Sequence, residues 1–546
     1  MPNYTVRMSE NLPAPEEPKV ERKSAWAPLK LPTFRMLWLV WMASNICVWM
    51  NDVAAAWLMT SLTSSPTLIA LVQTASSLPV FLLGLPSGAF ADILDRRRYF
   101  MVSQFWIAIT AAVLYSFALV GHLTAPVLLA LVFANGIGLA MRWPVYSAIL
   151  PEIVPRSQLG EALALNAVAV NTSRVIGPLV AGAIIAGAGT EYVFAVNFVI
   201  SVIAGVVLFR WKRETKPSVL PGERFIGAMR LGFQFVRESR RLRDALVRTA
   251  VFFLHSTAIF ALLPLVAKRL GTGSGGAETY TLLLSSLGAG AIAVSTQLPR
   301  LRVRWTRDEI VVGGSVINAL GIAGLAFAPS VGWAIPAMLA SGAAWIMVAN
   351  SVTIAAQLAL PDWVRARGMA IYQMSIMGGA ALGAVIWGQI AGHTSVPTSL
   401  AVCAVSMLVF LVFTRGRTLE GSEDHTPTHP WQEPVPAVPI ELNEGPVMVT
   451  VEYHIDPARR EEFDEVMAES RGARLRAGAV SWGLFEDLAK PGRFVEYFAC
   501  DTWADYLRRF DRFTAADERL QERRYAHHIA EGRPRISRYV ARHPAG

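Results

Sequence analysis

The sequence predicts an all-α membrane protein of twelve transmembrane helices in two six-helix halves, followed by a small soluble α+β ferredoxin-like domain. Three observations predict this fold. Of the 546 residues, 53% are hydrophobic and only 17% are charged, whereas soluble proteins average about 25% charged residues. Apolar runs of membrane-spanning length fill most of the chain. The composition then becomes that of a soluble domain after a Pro-rich segment.

The apolar runs come first in chain order. A helix needs about 20 mostly apolar residues to cross the hydrocarbon core of a bilayer. Six runs precede a long polar segment and six follow it, which is the arrangement of a transporter built from two six-helix halves. The predicted spans are 34–60, 67–91, 100–120, 124–149, 161–187, 191–210, 245–267, 278–299, 309–328, 332–358, 367–391 and 396–414.

The basic residues predict the orientation, because cytoplasmic loops retain Lys and Arg. The loops on the opposite side carry only Lys268 and Arg269. The loops on one side carry Arg96, Arg97, Arg98, Arg156, Arg300, Arg302, Arg304, Arg307, Arg365 and Arg367. An even number of spans then puts both termini in the cytoplasm. The net charge of +9 is explained in the same way, so we expect a lipid bilayer as partner and no nucleic acid.

These boundaries define six regions. The central loop has apolar residues at helical spacing among arginines, which predicts a short amphipathic helix on the inner surface; they are Phe225, Ile226, Met229, Phe233 and Val236. The regions are a cytoplasmic tail at 1–33, a first half at 34–210, a central loop at 211–244, a second half at 245–414, a Pro-rich linker at 415–446 and a cytoplasmic domain at 447–546.

The last region alternates strand and helix patterns in the order βαββαβ, which is typical of a ferredoxin-like domain. We expect strands at 447–455, 479–487, 493–500 and 535–541, with helices at 457–477 and 501–525. Neither this region nor the rest of the chain shows a catalytic triad, and Cys47, Cys403 and Cys500 have no metal-binding spacing. We therefore expect no catalytic residues, no metal and no cofactor.

One motif lies at the end of the second span, where Gly88, Asp92, Arg96 and Arg97 stand in the segment GAFADILDRR. Small residues allow close helix approach, and an acid beside arginines can form and break ion pairs. Position for position, these residues resemble the loop motif of the major facilitator superfamily. The resemblance implies a gating role. The corresponding place in the second half lacks the Asp.

A second motif in the fifth span contains Gly177, Pro178 and Gly182. It resembles the Gly-Pro motif of superfamily antiporters, although Ser173 and Ala181 replace two of its glycines. Close packing and a kink survive this change. The resemblance implies export rather than import, and import remains an alternative.

Residues 30–415 resemble the bacterial branch that includes the enterobactin exporter and macrolide efflux proteins, often called transmembrane secretion effectors. The matching segments are WMNDVAAAW, LTSSP, PSGAFAD and NTSRVIGP. The resemblance implies a secondary transporter of the bacterial inner (plasma) membrane that works by alternating access. It further implies proton-coupled export of a hydrophobic small molecule such as a drug, a siderophore or another secreted metabolite.

Charged residues inside a span are expensive and are therefore functional candidates. Asp52 is the one acid predicted to lie deep in a span, which makes it the candidate for proton coupling. Arg142 and Arg174 are the arginines inside spans and the candidate partners of Asp52. A permanent ion pair, or an Asp that faces a wet vestibule, remains the alternative.

Polar residues inside the other spans are candidates for the substrate cavity, with hydrogen bonding between helices as the alternative. They are Asn135, Asn171, His255, Asn350, Gln357 and Gln373.

In the soluble domain, Trp482, Glu496 and Trp503 together with the element order resemble the dimeric α/β barrels of the antibiotic-biosynthesis monooxygenase type. The resemblance implies a dimerising or regulatory module and a homodimer through this domain. Catalysis by the domain is the alternative.

Overall fold

The computed structural model describes residues 26–212, 225–271, 276–361, 363–421, 424, 426, 428 and 436–542. Most of the predicted N-terminal tail and part of the central loop lie outside these residues. The described chain consists of a large helical bundle followed by a small domain that contains a four-stranded sheet.

The first half contains six helices. They are α1 (Pro32–Leu62), α2 (Pro66–Ile93), α3 (Arg96–Val120), α4 (Ala125–Ile153), α5 (Leu159–Gly187) and α6 (Thr190–Arg210). Local sequence explains how they begin and end. Proline occupies the first turn of α1, α2 and α4, where a missing N–H costs nothing. Asp95 caps α3 by accepting a hydrogen bond from the Arg98 amide at 2.8 Å, and Gly121 ends α3 with φ of 73°.

The second half follows a central helix, α7 (Phe225–Glu238). Its helices are α8 (Arg240–Leu270), α9 (Gly276–Ser295), α10 (Leu298–Arg304), α11 (Arg307–Ala326), α12 (Val331–Leu358), α13 (Arg365–His393) and α14 (Val396–Phe413). A capping box fixes the start of α11, because Thr306 and Glu309 each bind the other's backbone amide.

Eleven helices among the described residues are long and apolar enough to cross a membrane. Helix α1 occupies the predicted first span but does not belong to this set, because Asn45, Asn51 and Asp52 lower its hydropathy. It nevertheless packs along α5 and α6 as part of the bundle. The predicted count of twelve is therefore not confirmed, whereas a helical membrane protein is.

The two halves meet mainly along two pairs of helices, α2 with α13 and α5 with α9, and α2 also contacts α8. The side chains of α2 pack closely on α13: a Cβ at Gly378 would lie 2.7 Å from Phe81, and Thr67 Oγ1 donates to the Gly388 carbonyl at 3.2 Å. These contacts run through the bundle, so each half supplies one wall of the interior between them.

The predicted amphipathic helix is α7. Its Leu231 and Phe235 are buried, and Phe235 packs into the core of the bundle. Phe233, which the sequence pattern placed on the apolar face, is half exposed. Val236, on the same predicted face, packs against the bundle core, and α7 is covered on two sides, by the bundle and by the C-terminal domain.

The C-terminal domain contains β1 (Val447–His454), α15 (Arg460–Arg476), β2 (Ser481–Glu486), β3 (Arg493–Cys500), α16 (Trp503–Asp511), α17 (Ala515–Ala526) and β4 (Arg535–Val540). Its sheet has the order β2-β3-β1-β4, and all neighbours are antiparallel. Alternate residues of β1, beginning with Val447, are buried under the helices. The helical region predicted at 501–525 consists of two helices, α16 and α17.

Candidate functional site

The centre of the bundle holds an arginine between aromatic rings from both halves. Arg174 lies near the middle of α5, and its guanidinium carbon is 5.3 Å from the ring centroid of Trp49 on α1 and 5.3 Å from that of Trp345 on α12. Phe260 of α8 is 5.1 Å from Trp345 and 6.3 Å from Trp49. The Arg174 guanidinium group therefore contacts aromatic rings of both halves near the middle of the bundle.

Asp52 is half-buried and accepts a hydrogen bond from Ser76 Oγ of α2 at 3.0 Å. Within the described residues, neither Arg142 nor Arg174 lies within ion-pair distance of this carboxylate. The pairing expected from the sequence is absent in this structure, because the arginines face other partners. Asp52 stands three residues beyond Trp49, which is about 4.5 Å along the helix axis at 1.5 Å per residue.

Arg142 lies inside the first half rather than between the halves. Its side chain is buried, has no carboxylate partner among the described ion pairs, and donates to Asn45 Oδ1 at 3.3 Å. Its guanidinium carbon is 5.0 Å from the Trp41 ring, which stacks on Tyr146 at 3.9 Å. The aromatic layer and the single amide hold Arg142 between α1 and α4.

The glycine motif of α5 explains why this helix can contact both halves. A Cβ at Gly177 would lie 2.4 Å from the Trp49 Cβ, and a Cβ at Gly182 would lie 2.1 Å from Thr281 Oγ1 of α9. Pro178 is buried between them. Gly177 thus allows close packing against α1 of the same half, and Gly182 allows close packing against α9 of the opposite half.

At the end of α2, the two arginines of the first motif bind within the first half. Arg96 pairs with Glu152 of α4 at 2.5 Å and donates to the Ala148 carbonyl at 3.0 Å. Arg97 donates to the Leu208 carbonyl at the end of α6 at 3.0 Å. Gly88 faces α4, where an added Cβ would lie 4.0 Å from Pro144. The side chain of Asp92 lies outside the described residues.

Two of the cavity candidates form hydrogen bonds between helices of one half. Asn135 donates to Thr110 Oγ1 at 3.4 Å, and His255 contacts the Val251 carbonyl and Ser406 Oγ at 2.7 Å each. These two are structural residues in this state. The remaining candidates are exposed or half-buried, namely Asn171, Asn350, Gln357 and Gln373.

Contacts join the two halves at the end of the bundle that carries Leu62, Pro66 and Leu270. We call this the remote end, because the C-terminal domain lies at the other one. Trp57 of α1 stacks on Tyr280 of α9 with ring centroids 5.7 Å apart. The Lys268 ammonium donates to the Thr60 carbonyl across the halves. The halves are therefore joined on the side of Asp52 that faces the remote end.

The C-terminal domain contains a buried ionic cluster. Glu496 is fully buried, and it accepts hydrogen bonds from Arg474 at 3.0 Å, Trp482 at 3.0 Å and Tyr453 at 3.0 Å. Burial alone would raise the pKa of Glu496, but the guanidinium groups of Arg474 and Arg524 outweigh burial and lower this pKa to about 2. All the bonds are internal, so the cluster stabilises the domain.

The sequence indicated Asp52 and Arg174 as candidates, but not the residues that surround them. Ser76 and Thr281 are small hydroxyl residues on apolar helices, and nothing in their spacing distinguishes them. Trp345 is one of 16 tryptophans in the chain. Its contact with Arg174 depends on how α12, which packs on α8 and α9, is placed opposite α5.

A family model described as transmembrane secretion effector matches residues 23–545. The chain is 24% identical over 386 residues to the uncharacterised MFS-type transporter YfiS of Bacillus subtilis, which covers 68% of this chain and 89% of that protein. It is 22% identical over 261 residues to the staphyloferrin A transporter of Staphylococcus aureus (46% and 63% covered). Macrolide efflux protein A of Streptococcus pyogenes is 23% identical over 245 residues (44% and 60%).

Solved transporters share the fold. A POT family transporter bound to 5-aminolevulinic acid aligns with a TM-score of 0.58 at 14% identity, covering 71% of this chain and 97% of that one. The nucleoside transporter NupG, as its D323A mutant, aligns with a TM-score of 0.56 at 12% identity, covering 70% and 99%. The chain therefore belongs to the transmembrane secretion effector family of major facilitator superfamily transporters, which are multi-pass membrane proteins.

Proposed function

We propose that this chain is a secondary active exporter that moves hydrophobic small molecules out of the bacterial cytoplasm by alternating access, in exchange for protons. The observation that carries the proposal is the position of Arg174, Trp49 and Trp345 between the two halves. A site at the interface of two rocking halves is accessible to one side of the membrane at a time. The aromatic walls suit an apolar substrate.

Three further observations support this function. The remote end is closed by contacts between the halves, such as the Trp57–Tyr280 stack, which can separate only if the halves rock apart. Small residues at Gly182 and Gly378 allow helices of opposite halves to slide closely past one another. The relatives include a macrolide efflux protein and a siderophore transporter.

We assign proton coupling to Asp52. Among the acidic residues with described side chains, Asp52 is the one that lies in the middle of a bundle helix. The one hydrogen bond that it accepts comes from the neutral hydroxyl of Ser76. Without an ion-pair partner, a carboxylate in a membrane protein can be protonated at modest cost. Protonation would remove its charge while the halves exchange their contacts.

Cytoplasmic termini and an inner-membrane location are part of the same proposal. They place the C-terminal domain, α7 and the arginines of the α2–α3 loop on the cytoplasmic side. The remote end then faces outward, and the described state is closed to the outside. Gly88, Asp92, Arg96 and Arg97 would act as the gate on the inner side.

For the C-terminal domain we propose a ferredoxin-like module that pairs two copies of the chain. The sheet order β2-β3-β1-β4 with helices on one face supports that fold. The opposite face presents Met448, Phe485 and Tyr539, which are 40%, 61% and 51% exposed. Analytical ultracentrifugation of the full chain tests the pairing, and a monomer at micromolar concentration would contradict it.

The test of export uses inside-out vesicles that contain the full chain and a pH-sensitive dye. An acid-inside gradient is imposed, and lipophilic drugs and siderophores are added one at a time. Substrate-dependent release of protons from the lumen is the expected result. Uptake of the same compounds that leaves the proton gradient unchanged would contradict antiport. Accumulation by right-side-out vesicles would indicate import.

A further inference from the structure

Arg174 has no counter-charge in the part of the chain that the structure describes. Among the described residues, no carboxylate lies within 4 Å of its guanidinium group, and it forms no hydrogen bond. Its Nε is buried without a partner. Buried donors in proteins are almost always satisfied, so an unsatisfied one requires an explanation.

The other arginines of the bundle show what a structural arginine looks like here. Arg248 of α8 is also buried, and its Nε lacks a partner too, but its other two guanidinium nitrogens pair with Asp308 and donate to the Thr414 carbonyl at 3.3 Å. Arg97 binds the helix-end carbonyl of Leu208. Both have oxygen acceptors within their own half. Arg174 instead contacts the faces of two rings that belong to different halves.

A second donor at the same place also lacks an acceptor. Trp345 is 8% exposed, and its indole Nε1–H is buried without a hydrogen-bond partner. Buried Trp N–H groups usually find an acceptor. The two unsatisfied donors belong to opposite halves, and the guanidinium carbon of Arg174 lies 5.3 Å from the Trp345 ring centroid, so one bound molecule could supply oxygen acceptors to both.

The surroundings add an apolar requirement. Trp345 packs edge-on against Phe253 at 4.9 Å and against Phe260 at 5.1 Å, and Trp49 completes this wall. Flat rings beside a guanidinium favour a ligand with an anionic head and an apolar body. A lipophilic cation would be repelled by Arg174, and a neutral molecule would leave its charge uncompensated.

We propose that Arg174 and the Trp345 indole N–H bind the carboxylate of an amphiphilic anion, so that the exported substrates are lipophilic carboxylates. This inference rests on the proposed transport function and names its substrate class. Because Arg174 belongs to one half and Trp345 to the other, rocking separates the two donors. The carboxylate is then held tightly in one state and released in the other.

The test measures binding to the full chain in lipid nanodiscs by scintillation proximity. Tritiated 2-naphthaleneacetate is the probe. Two unlabelled compounds with the same ring compete with it: 2-naphthaleneacetamide, which is neutral, and 2-(2-naphthyl)ethylamine, which is cationic. We expect saturable binding of the carboxylate, at least tenfold weaker competition by the amide, and no competition by the amine. Absence of saturable carboxylate binding, or equal competition by the amide, would overturn the proposal.

Variants locate the site. Arg174→Gln should weaken carboxylate binding at least tenfold, and Trp345→Phe, which keeps a ring but loses the N–H, about threefold. Arg300→Gln is the matched control, because it removes an exposed arginine at the end of the bundle and should bind normally. If Arg174→Gln does not fold, Arg174→Lys is used instead. It keeps the positive charge but loses the planar, bidentate donors of the guanidinium group, so it should bind the carboxylate at intermediate strength. Unchanged carboxylate binding by Arg174→Gln would overturn the proposal. Unchanged binding by Trp345→Phe together with unchanged binding by Arg174→Lys would also overturn it.

The vesicle assay separates this inference from the function on which it rests. Proton release driven by neutral or cationic compounds, unchanged in Arg174→Gln, would overturn the carboxylate specificity and leave the exporter standing. Carboxylate binding that depends on Arg174, without any proton release, would support the site and contradict proton antiport.

Discussion

The side-chain amide of Gln234 donates a hydrogen bond of 2.6 Å to the carbonyl oxygen of Ala479, and this bond joins the central helix α7 to the C-terminal domain. Arg230 pairs with Asp501 alongside it, and Arg471 lies 3.7 Å from Glu238. The other side of α7 packs on the bundle through Phe235. The helix between the two halves is therefore held by both the membrane part and the soluble domain.

Trp363, in the loop between α12 and α13, is predicted to anchor this docking. Its ring lies 4.7 Å from the Arg512 guanidinium and 5.8 Å from Phe235. Trp363→Ala removes a cation–π contact and an aromatic pair, together worth about 2 kcal/mol. We expect faster hydrogen exchange in α7, measured by mass spectrometry on the full chain.

Trp333→Ala is the matched control for Trp363, because this exposed tryptophan begins α12 at the remote end. It should leave exchange in α7 unchanged. Equal exchange in the Trp363→Ala and parent chains would show that the domain is held without this contact.

Glu496 is predicted to control the acid stability of the C-terminal domain. Its pKa is about 2 in the folded chain, against about 4.3 for an unfolded glutamate. Because the folded value is the lower one, its stabilisation is complete above about pH 4.3 and is lost as pH falls toward 2. Hydrogen exchange of β3 amides in the full chain should therefore accelerate steeply below pH 4.3, after correction for intrinsic exchange.

Replacing that carboxylate should have a larger effect at neutral pH. Glu496→Gln leaves Arg474 and Arg524 buried without their counter-charge, which we expect to lower the free energy of unfolding of the domain by about 3–5 kcal/mol. Urea-dependent hydrogen exchange of β3 measures this loss. Glu461→Gln, at an exposed position of α15, is the control, and a loss of similar size in both variants would refute the assignment.

Gly182 is predicted to be essential for contact between the halves. A Cβ there would lie 2.1 Å from Thr281 Oγ1 and 2.7 Å from Thr281 Cβ, so Gly182→Val must push α9 away from α5. We expect at least a tenfold loss of transport in vesicles. In the same helix, Gly187→Val meets no atom within 4 Å and should transport normally. Normal transport by Gly182→Val would show that this contact can open freely.

Asp52→Asn is predicted to uncouple transport from protons. The amide keeps the size of the side chain and its hydrogen-bonding capacity toward Ser76, but it cannot take up a proton. We expect substrate movement down its own gradient to persist, while proton release in inside-out vesicles falls at least tenfold. Glu278→Gln, an exposed acid at the start of α9, should remain coupled. Proton-driven transport by Asp52→Asn would assign coupling to another group.

The sequence alone determined the elements, because each depends on local chemistry. Hydropathy over about 20 residues specifies a membrane helix regardless of its neighbours, and the shift in composition after Arg417 marks the soluble domain. The element order of that domain could be read from periodicity for the same reason. Hydropathy is least informative for helix α1, because its polar residues are stabilised by tertiary contacts that a hydropathy window does not include.

Only the tertiary structure decided which side chains meet. Asp52 has Ser76 as its partner rather than an arginine, and Phe233 of α7 is exposed while Phe235 is buried. These outcomes depend on how helices far apart in sequence rotate and pack. The same packing brings Arg174 between Trp49 and Trp345, on helices α5, α1 and α12. A site shared by two halves exists only once both halves have folded and met, so no local pattern can encode it.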